Sequence, residues 1–303
     1  MKRILVCGSN GLLGQKLAWM LAANSEFEVL HTSHHRNFFL AHQPLDYTQL
    51  DISNRSDVKS LVSSFRPDAI LNAAAMADVD QCEKEREQAW KVNVVGVENL
   101  VEVARRINAK LVHISTDYVF DGKTPPYDEQ SRVNPINYYG KTKLAGENVV
   151  LIGDIDFAIL RTIVVYGTGV NVRNNFALWV IRNLQEGKNI RCFDDQISNP
   201  THVQDLAQAM INCAVENRKG IYHTAGAEIV SRYDFALRAA EIFGLDKELI
   251  ERSKSSASSF PAVRPLNTSF TIGKAKKEIH YHPMNVTQGL ELLKKELQGI
   301  NLN

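Results

Sequence analysis

The sequence predicts an α/β protein in which a Rossmann-type, doubly wound parallel sheet is followed by a smaller C-terminal α+β region. In the first half of the chain, short apolar runs alternate with longer helical patterns, as in successive βαβ units. The apolar runs are nearly continuous, which is expected of strands covered by helices on both faces. A glycine-rich turn directly follows the first run, and such a turn is typical of dinucleotide-binding βαβ units.

The individual elements follow from these patterns. Strands are predicted at Arg3–Cys7, Glu28–Ser33, Ala69–Asn72, Lys110–Ser115 and Phe157–Arg161. Helices are predicted between them at Leu12–Ala23, Ser56–Phe65, Glu85–Ile107 and Tyr139–Leu151. Later helices are predicted at Asn175–Glu186, His202–Glu216, Arg232–Phe243 and Val286–Leu297.

The change of rhythm after Tyr166 suggests two domains. We expect a dinucleotide-binding Rossmann domain over residues 1–165 and a substrate-binding region over residues 166–303. A short strand predicted at 220–224 can return to the first sheet, which would make the domains discontinuous. The serine-rich segment Ser253–Ser259 is predicted to form a loop over the site.

Composition narrows the class of protein. The 303 residues are 44% hydrophobic and 23% charged, with a formal net charge of +1, so we expect neither nucleic acid nor a membrane surface as partner. Four scattered cysteines without a C-x-x-C pair indicate free thiols in a reducing compartment. No apolar stretch approaches the ~18 residues of a membrane helix, and the apolar run at the N-terminus ends at Gly8. We therefore expect a cytoplasmic protein.

The turn from Gly8 to Gly14 predicts a nicotinamide dinucleotide site. Gly8 permits the tight turn, Gly11 lets the backbone approach the pyrophosphate, and Gly14 allows close packing of helix on strand. The N-terminus of the following helix presents unpaired N–H groups to the phosphates. The predicted cofactor contacts in this turn are Gly8, Asn10, Gly11, Leu12 and Leu13.

The end of the second strand bears on the choice of cofactor. NAD sites usually place Asp or Glu there to hold the ribose hydroxyls, but this strand ends at Ser33 and continues into His34, His35 and Arg36. Ser33 and Arg36 can hold a 2′-phosphate, so NADPH is favoured, with NADH still possible. The alternative is that Arg36 is only a solvated loop cation.

Tyr139 and Lys143 are the candidate catalytic pair. Their i, i+4 spacing places them on one face of a helix, and an ammonium beside a phenol lowers the phenol pKa, which suits acid–base work on an alcohol or ketone. Ser115 and Thr116 end a strand where parallel sheets bind ligands, so either hydroxyl can contact the substrate oxygen. Tyr138 is the alternative tyrosine, at a less suitable spacing.

As a set, these motifs resemble the extended short-chain dehydrogenase/reductase superfamily, and within it the dTDP-4-dehydrorhamnose reductase group. The similarity extends over residues 1–226 and continues more loosely to the C-terminus. The stretches that carry it are GSNGLLG at 8–14, NAAA at 72–75, STDYVFDG at 115–122, YGKTKLAGE at 139–147, LRT at 160–162, VYG at 165–167 and PT at 200–201.

The resemblance implies roles for single residues. Tyr139 would be the general acid, Lys143 would lower its pKa and hold the nicotinamide ribose, and Thr116 would be the hydroxyl partner. The further cofactor contacts implied are Asp51 and Ile52 against the adenine, Ala73, Ala74 and Ala75 along the dinucleotide, and Thr162. The alternative for Asp51 is a place at a helix start, with Ser53 or Asn54 as the cap.

The implied reaction is hydride transfer to the C4 ketone of a nucleotide-linked 4-keto-6-deoxyhexose, with no metal. Each substrate contact has an alternative in capping, packing or a solvated charge, and an arginine at 264 can bind a diphosphate bidentately. The candidate contacts are Met76, Asp117, Tyr118, Asn175 and Arg264.

Some bacterial members have a glutamate after the turn and a magnesium-bridged dimer, but Gln15–Leu17 stands there. A homodimer through the helix at Glu85–Ile107 stays possible, as does an internal role for its apolar face.

Two alternative functions remain open. One is an epimerase or 4,6-dehydratase of the same superfamily, although Tyr118 stands where a dehydratase needs its second carboxylate. The other is a non-catalytic, NADP-binding regulatory subunit resembling the β subunit of methionine adenosyltransferase, which shares the S-x-D-Y-V-F-D-G and Y-G-K-T-K stretches.

Overall fold

Seven parallel strands form the central sheet of the protein. The computed structural model describes residues 1–40, 43, 45–216, 218–257 and 259–299. The described residues contain these seven strands together with six short ones outside the central sheet. They are β1 Lys2–Cys7, β2 Phe27–Ser33, β3 Tyr47–Gln49, β4 Ala69–Asn72, β5 Lys110–Thr116, β6 Phe157–Thr162, β7 Val165–Tyr166, β8 Ile190–Phe193, β9 Ile197–Ser198, β10 Thr201–His202, β11 Gly220–His223, β12 Val230–Ser231 and β13 Ile250–Ser253. The order in the sheet is β11-β6-β5-β4-β1-β2-β3, so the chain winds outward from β1 in both directions and the predicted Rossmann-type sheet is confirmed.

Helices cover both faces of this sheet, and the four later predicted helices are each found within a few residues of their predicted ends. The helices are α1 Leu12–Ala22, α2 Arg55–Phe65, α3 Val79–Lys84, α4 Arg86–Trp90, α5 Gly96–Ile107, α6 Tyr138–Leu151, α7 Phe176–Gln185, α8 Val203–Val215, α9 Arg232–Phe243, α10 Gly273–Glu278 and α11 Val286–Gly299. Of the described helices, none is long and apolar enough to span a bilayer.

The helix predicted at Glu85–Ile107 is present from Arg86 to Ile107, with a π-helical turn between α4 and α5, but the prediction missed the short helix α3 that precedes it. Asp78 caps a separate helix, α3, by accepting a hydrogen bond from the backbone N–H of Gln81 at 2.8 Å, and Glu85 then leaves helical geometry. A π-helical turn at Lys91–Val95 follows before α5. On α5, Leu100 and Val103 are buried in the core of this chain, which gives the apolar face an internal role; the homodimer stays a prediction.

The C-terminal half adds to the first sheet and also forms its own core. Strand β11 pairs in parallel with β6, so the strand predicted at 220–224 does return to the sheet. Helix α8 packs against α1 within the core on one face of the sheet. A separate apolar cluster joins α7, α9 and α11. The division of the chain at residue 165 remains a prediction, since the sheet draws on both sides of it.

Candidate active site

The glycine turn has the geometry that the sequence predicts. Gly8 adopts a φ of 88°, and a Cβ added there would lie 2.7 Å from the backbone nitrogen of Ala74. A Cβ on Gly14 would lie 2.2 Å from the Gly8 carbonyl oxygen. Helix α1 begins at Leu12, and its N-cap residue Gly11 has no side chain to cap it, so the first N–H groups of the helix are open to an anion.

A cavity of about 550 Å³ lies beside this turn. Ala73 and Ala74 lie directly against Gly8 of this turn, because β4 is the direct neighbour of β1 in the sheet. Many of the predicted cofactor contacts line it, namely Gly8, Asn10, Gly11, Asp51, Ile52, Ala73, Ala74 and Ala75. Leu12, Leu13 and Thr162 instead line the adjoining cavity.

One end of the cavity, beside the end of β2, is lined by Ser33, His34 and His35. The Asn10 amide donates to the Ser33 hydroxyl at 3.0 Å and so holds this loop on the glycine turn. Arg36 is exposed and is not among the residues that the structure shows lining the cavity. Its contact with a 2′-phosphate therefore stays a prediction.

Asp51 lines the same end of the cavity. Its carboxylate accepts hydrogen bonds from the backbone N–H and the hydroxyl of Ser53 at 2.9 and 2.7 Å. The cap of α2 is Asn54, which accepts from the backbone N–H groups of Ser56 and Asp57. Asp51 therefore stays available to the cavity, and its contact with adenine remains a prediction.

Thr116 and Tyr139 meet in the second cavity, of about 600 Å³, which shares Ala73–Ala75 with the first. Burial raises the pKa of the Tyr139 phenol, and hydrogen bonding by Thr116 lowers it. The direction differs from the expected lowering because burial is the largest effect. The phenol therefore keeps its proton and can donate it to a strongly basic alkoxide, although the raised pKa reduces the driving force for that transfer. Tyr138 is outside this cavity, with its ring 5.1 Å from the Arg86 guanidinium.

Lys143 lies one turn beyond Tyr139 and lines the same cavity. Its side chain is almost fully buried, and Nζ donates to the Ile114 carbonyl at 2.7 Å. Burial lowers the pKa of Lys143 to about 8, while the Glu147 carboxylate acts in the opposite direction. The lysine is therefore held at one point of the cavity with little freedom to move.

Ser115 is the less suitable of the two candidate hydroxyls. It donates a short hydrogen bond to the Glu147 carboxylate, which also accepts from Arg161 at 2.9 and 2.7 Å. Glu147 and Arg161 are a buried ion pair, so this hydroxyl belongs to the packing of α6 on the sheet. Thr116 lines the cavity, where its hydroxyl donates to the Asp117 carboxylate at 3.1 Å and accepts from the Tyr118 N–H at 3.2 Å.

The structure also places the five candidate substrate residues. Asp117 and Tyr118 line the second cavity, and the Tyr118 ring stands edge-on to Tyr139 with 6.0 Å between centroids. Asn175 reaches the cavity but also caps α7, accepting from the Leu178 N–H at 3.2 Å. Met76 lines the first cavity, beside the glycine turn, instead.

Arg264 lines the second cavity, but its guanidinium already has a carboxylate partner. Two nitrogens of Arg264 donate to the two carboxylate oxygens of Asp80, both at 2.7 Å. The expected bidentate grip is present, with a protein carboxylate where a diphosphate was predicted. Asp80 escaped prediction because α3 itself did.

Arg232 is a further cavity residue that sequence reasoning missed. It lines the cavity and has its guanidinium carbon 4.5 Å above the Phe176 ring. Arg173 and Arg264 pair with carboxylates, whereas Arg232 forms no ion pair with any residue in the described part of the chain. A signal was present, because a cation at the first position of a helix opposes the helix dipole.

The serine-rich segment does not cover the site. Ser253 ends β13, which pairs with β8, and Ser255 bonds to the Asp195 carboxylate. Ser258 lies outside the described residues. Since none of the described residues of this segment lines either cavity, the predicted loop over the site is wrong.

A parallel sheet of this order, an open glycine turn and a Thr/Tyr/Lys cluster define the class: the chain has the extended short-chain dehydrogenase/reductase fold. Comparisons with known proteins agree. The family model described as the RmlD substrate binding domain matches residues 1–298. The chain therefore belongs to this family.

Individual relatives show how far the similarity extends. A dTDP-4-dehydrorhamnose reductase from Aggregatibacter actinomycetemcomitans is 35% identical, over 96% of this chain and 98% of the relative. The crystal structure of a dTDP-4-dehydrorhamnose reductase from Bacillus anthracis in complex with NADP superposes with a TM-score of 0.87 at 32% identity, over 98% of this chain and 100% of that one. Methionine adenosyltransferase 2 subunit beta from Xenopus laevis is also 35% identical, over 80% of this chain and 73% of the relative.

Proposed function

We propose that the protein is an NADPH-dependent reductase of a nucleotide-linked sugar, and that its substrate is a 4-keto-6-deoxyhexose reduced at C4. The observation that carries this proposal is the convergence of Thr116, Tyr139 and Lys143 on the cavity that adjoins the glycine turn. The reductase relatives, with the NADP complex of one of them, support the same chemistry.

The residues present fit a dinucleotide. The cradle at Gly8 and Gly14 would be filled by any Cβ, and the uncapped start of α1 offers N–H groups to a pyrophosphate. Ala73–Ala75 would follow the dinucleotide between the two cavities. Ser33 and Arg36, with no acid at the end of β2, favour the phosphorylated cofactor, while NADH stays possible.

When bound, the nicotinamide supplies the hydride. Tyr139 donates its phenolic proton to the sugar oxygen as negative charge develops there, and Thr116 donates a hydrogen bond that orients the same oxygen. Lys143 holds the nicotinamide ribose and stabilises the phenolate that Tyr139 leaves. Thr116 and Lys143 are buried, whereas Tyr139 keeps part of its surface exposed.

The sugar end requires a group for the substrate diphosphate. Because Arg264 is neutralised by Asp80, Arg232 takes this role in our proposal. Its guanidinium has unused N–H donors at the cavity and forms charge-assisted hydrogen bonds with phosphate oxygens. Asn175, Asp117 and Tyr118 complete the walls around the sugar.

The test offers NADPH and NADH with a panel of nucleotide-linked 4-keto-6-deoxy sugars and follows cofactor oxidation. We expect turnover with NADPH and at least one such sugar. NADPH binding without turnover of any sugar in the panel would contradict the reductase.

The second candidate is a non-catalytic regulatory subunit, which the 35% identity to methionine adenosyltransferase 2 subunit beta favours. The two functions differ in a measurable way. A regulatory subunit would bind a methionine adenosyltransferase catalytic subunit in a pull-down and change its rate. A reductase would show neither effect.

A further inference from the structure

Lys143 is contacted from within the sheet by buried groups that the proposed mechanism does not use. His113 on β5 places Nε2 3.4 Å from the lysine Nζ. Asn72, the residue paired with His113 on β4, places its amide nitrogen 3.1 Å from the histidine Nδ1. None of the three side chains is more than 2% exposed. They form a chain from the cofactor turn to the catalytic lysine.

The orientation of the Asn72 amide is determined by the backbone. Its Oδ1 accepts a hydrogen bond from the Ala74 N–H at 3.1 Å, and a backbone N–H can only donate. The oxygen must therefore face Ala74, which turns the NH₂ group toward His113. Since an amide NH₂ also only donates, Nδ1 of His113 must be the acceptor.

This assignment determines the tautomer of His113. Burial keeps the pKa of His113 well below its ordinary value, so the ring carries a single proton. With Nδ1 accepting, that proton is on Nε2. Nε2 is the atom that faces Lys143.

We infer that Asn72, acting through the Nε2–H tautomer of His113, favours the neutral amine of Lys143 over its ammonium form. An ammonium would meet the Nε2–H donor with a second donor, whereas the amine accepts from it with its lone pair. Either form still donates to the Ile114 carbonyl. His113 is thus a positioning residue that sets the charge of the lysine, an inference that rests on the proposed function for the catalytic role of Lys143.

Other ionisable groups act on the same lysine. Glu147, on the same helix, favours the ammonium, as does the thiol of Cys82 on α3. Glu147 is shared with Arg161 of β6 and Ser115 of β5, so its carboxylate is not held by Lys143 alone. Tyr139 lies one turn away on α6. The charge of Lys143 is therefore set by opposed neighbours, and His113 and burial oppose Glu147.

The first experiment reads the tautomer directly. Histidine labelled with ¹⁵N in the wild-type protein reports which ring nitrogen of His113 carries the proton. We expect Nε2, and a proton on Nδ1 would overturn the inference. This measurement requires neither cofactor nor substrate.

The second experiment follows the pH dependence of NADPH affinity, by the fluorescence of bound NADPH, and of kcat/KM. Replacing His113→Phe removes the Nε2–H donor, so the pH above which both quantities fall should rise by about one unit, a tenfold change in proton affinity. The matched control is His223→Phe. His223 is equally buried but stacks on Phe270 with 3.9 Å between centroids, and we expect no shift of the alkaline limb.

A third variant tests the coupling through the ring. In Asn72→Asp a carboxylate accepts from Nδ1–H, which reverses the tautomer and turns the Nε2 lone pair to Lys143. In the wild-type background, Asn72→Asp should raise the pH above which NADPH affinity falls. This rise should exceed the rise that Asn72→Asp causes in the His113→Phe background, because added negative charge alone acts equally in both backgrounds.

An unmoved alkaline limb in His113→Phe, or equal Asn72→Asp shifts in the two backgrounds, would overturn the inference. Loss of activity without a moved limb would show that His113 is merely structural. The titration of NADPH affinity needs no sugar turnover, so a shifted limb without any reductase activity would refute the proposed function and leave this inference standing.

Discussion

The two cavities of the cleft are built in different ways. The first cavity, where we propose that the cofactor binds, is built around Gly8, Gly11 and Ala73–Ala75, small residues at the carboxyl ends of β1 and β4, which are neighbours in the sheet. The substrate cavity depends on long side chains from distant segments, such as Asp80, Arg232 and Arg264. The part of the first cavity formed by the glycine turn and Ala73–Ala75 therefore follows from the sheet itself, while the substrate cavity depends on how the C-terminal half docks onto it.

The largest expected effect lies where the two cavities meet. Tyr139→Phe removes the proton donor, and we expect kcat to fall by about 10³-fold with NADPH affinity little changed. Stopped-flow kinetics with a fluorescence titration of NADPH separates the two quantities. Tyr138→Phe is the matched control and should keep wild-type kcat. A kcat in Tyr139→Phe within tenfold of wild type would assign the proton to another group.

The cofactor cavity can be broken by a single methyl group. Gly8→Ala places a Cβ against the backbone at Ala74 and at a positive φ, so NADPH affinity should fall by about 10²-fold or more, beyond the ~1–2 kcal/mol of backbone strain. Calorimetric titration measures the affinity. Gly187→Ala has a similar φ of 67° with nothing within 4 Å and should lose stability without losing affinity. Equal NADPH affinities for the two variants would contradict this account.

The substrate cavity should respond more selectively. In Arg232→Gln the KM for the nucleotide sugar should rise about 10- to 100-fold, the equivalent of one charge-assisted hydrogen bond, with NADPH affinity unchanged. Arg191→Gln, an exposed arginine paired with Glu251, serves as control. A KM unchanged in Arg232→Gln would place the diphosphate elsewhere.

The smallest effect concerns the stability of the substrate wall. Burial raises the pKa of Asp117 to about 6, above its value in the unfolded chain. The folded state is therefore most stable when the Asp117 carboxyl is protonated. This contribution to the free energy of unfolding is lost as the pH rises from about 4 through 6. Asp117→Asn should raise the free energy of unfolding by about 1–2 kcal/mol at pH 7.5 and by little at pH 3.5. Equal urea midpoints for the two proteins at pH 7.5 would contradict this prediction.

The difference between the cavities also explains what the sequence could predict. The turn at Gly8–Gly14, the hydroxyl at Thr116 and the pair Tyr139 and Lys143 are local patterns tied to strand ends and to one helical face, so they were found. Arg264 was found, but its partner Asp80 lies far away in sequence, on a short helix with no strong periodicity. Arg232 had only a dipole-unfavourable position to mark it. The short helix α3 before Glu85 depends on its Asp78 cap and on tertiary packing, which a periodicity does not record.

The return of β11 to the sheet has a consequence during synthesis. All six residues of β6 are buried, and β11 covers its outer edge. When β6 has emerged from the ribosome and β11 has not, this edge exposes unpaired N–H and C=O groups on a mostly apolar strand. Strands of other chains can pair with that edge. We expect a fragment of residues 1–165 to aggregate, and chaperone binding to be strongest until residue 223 has emerged.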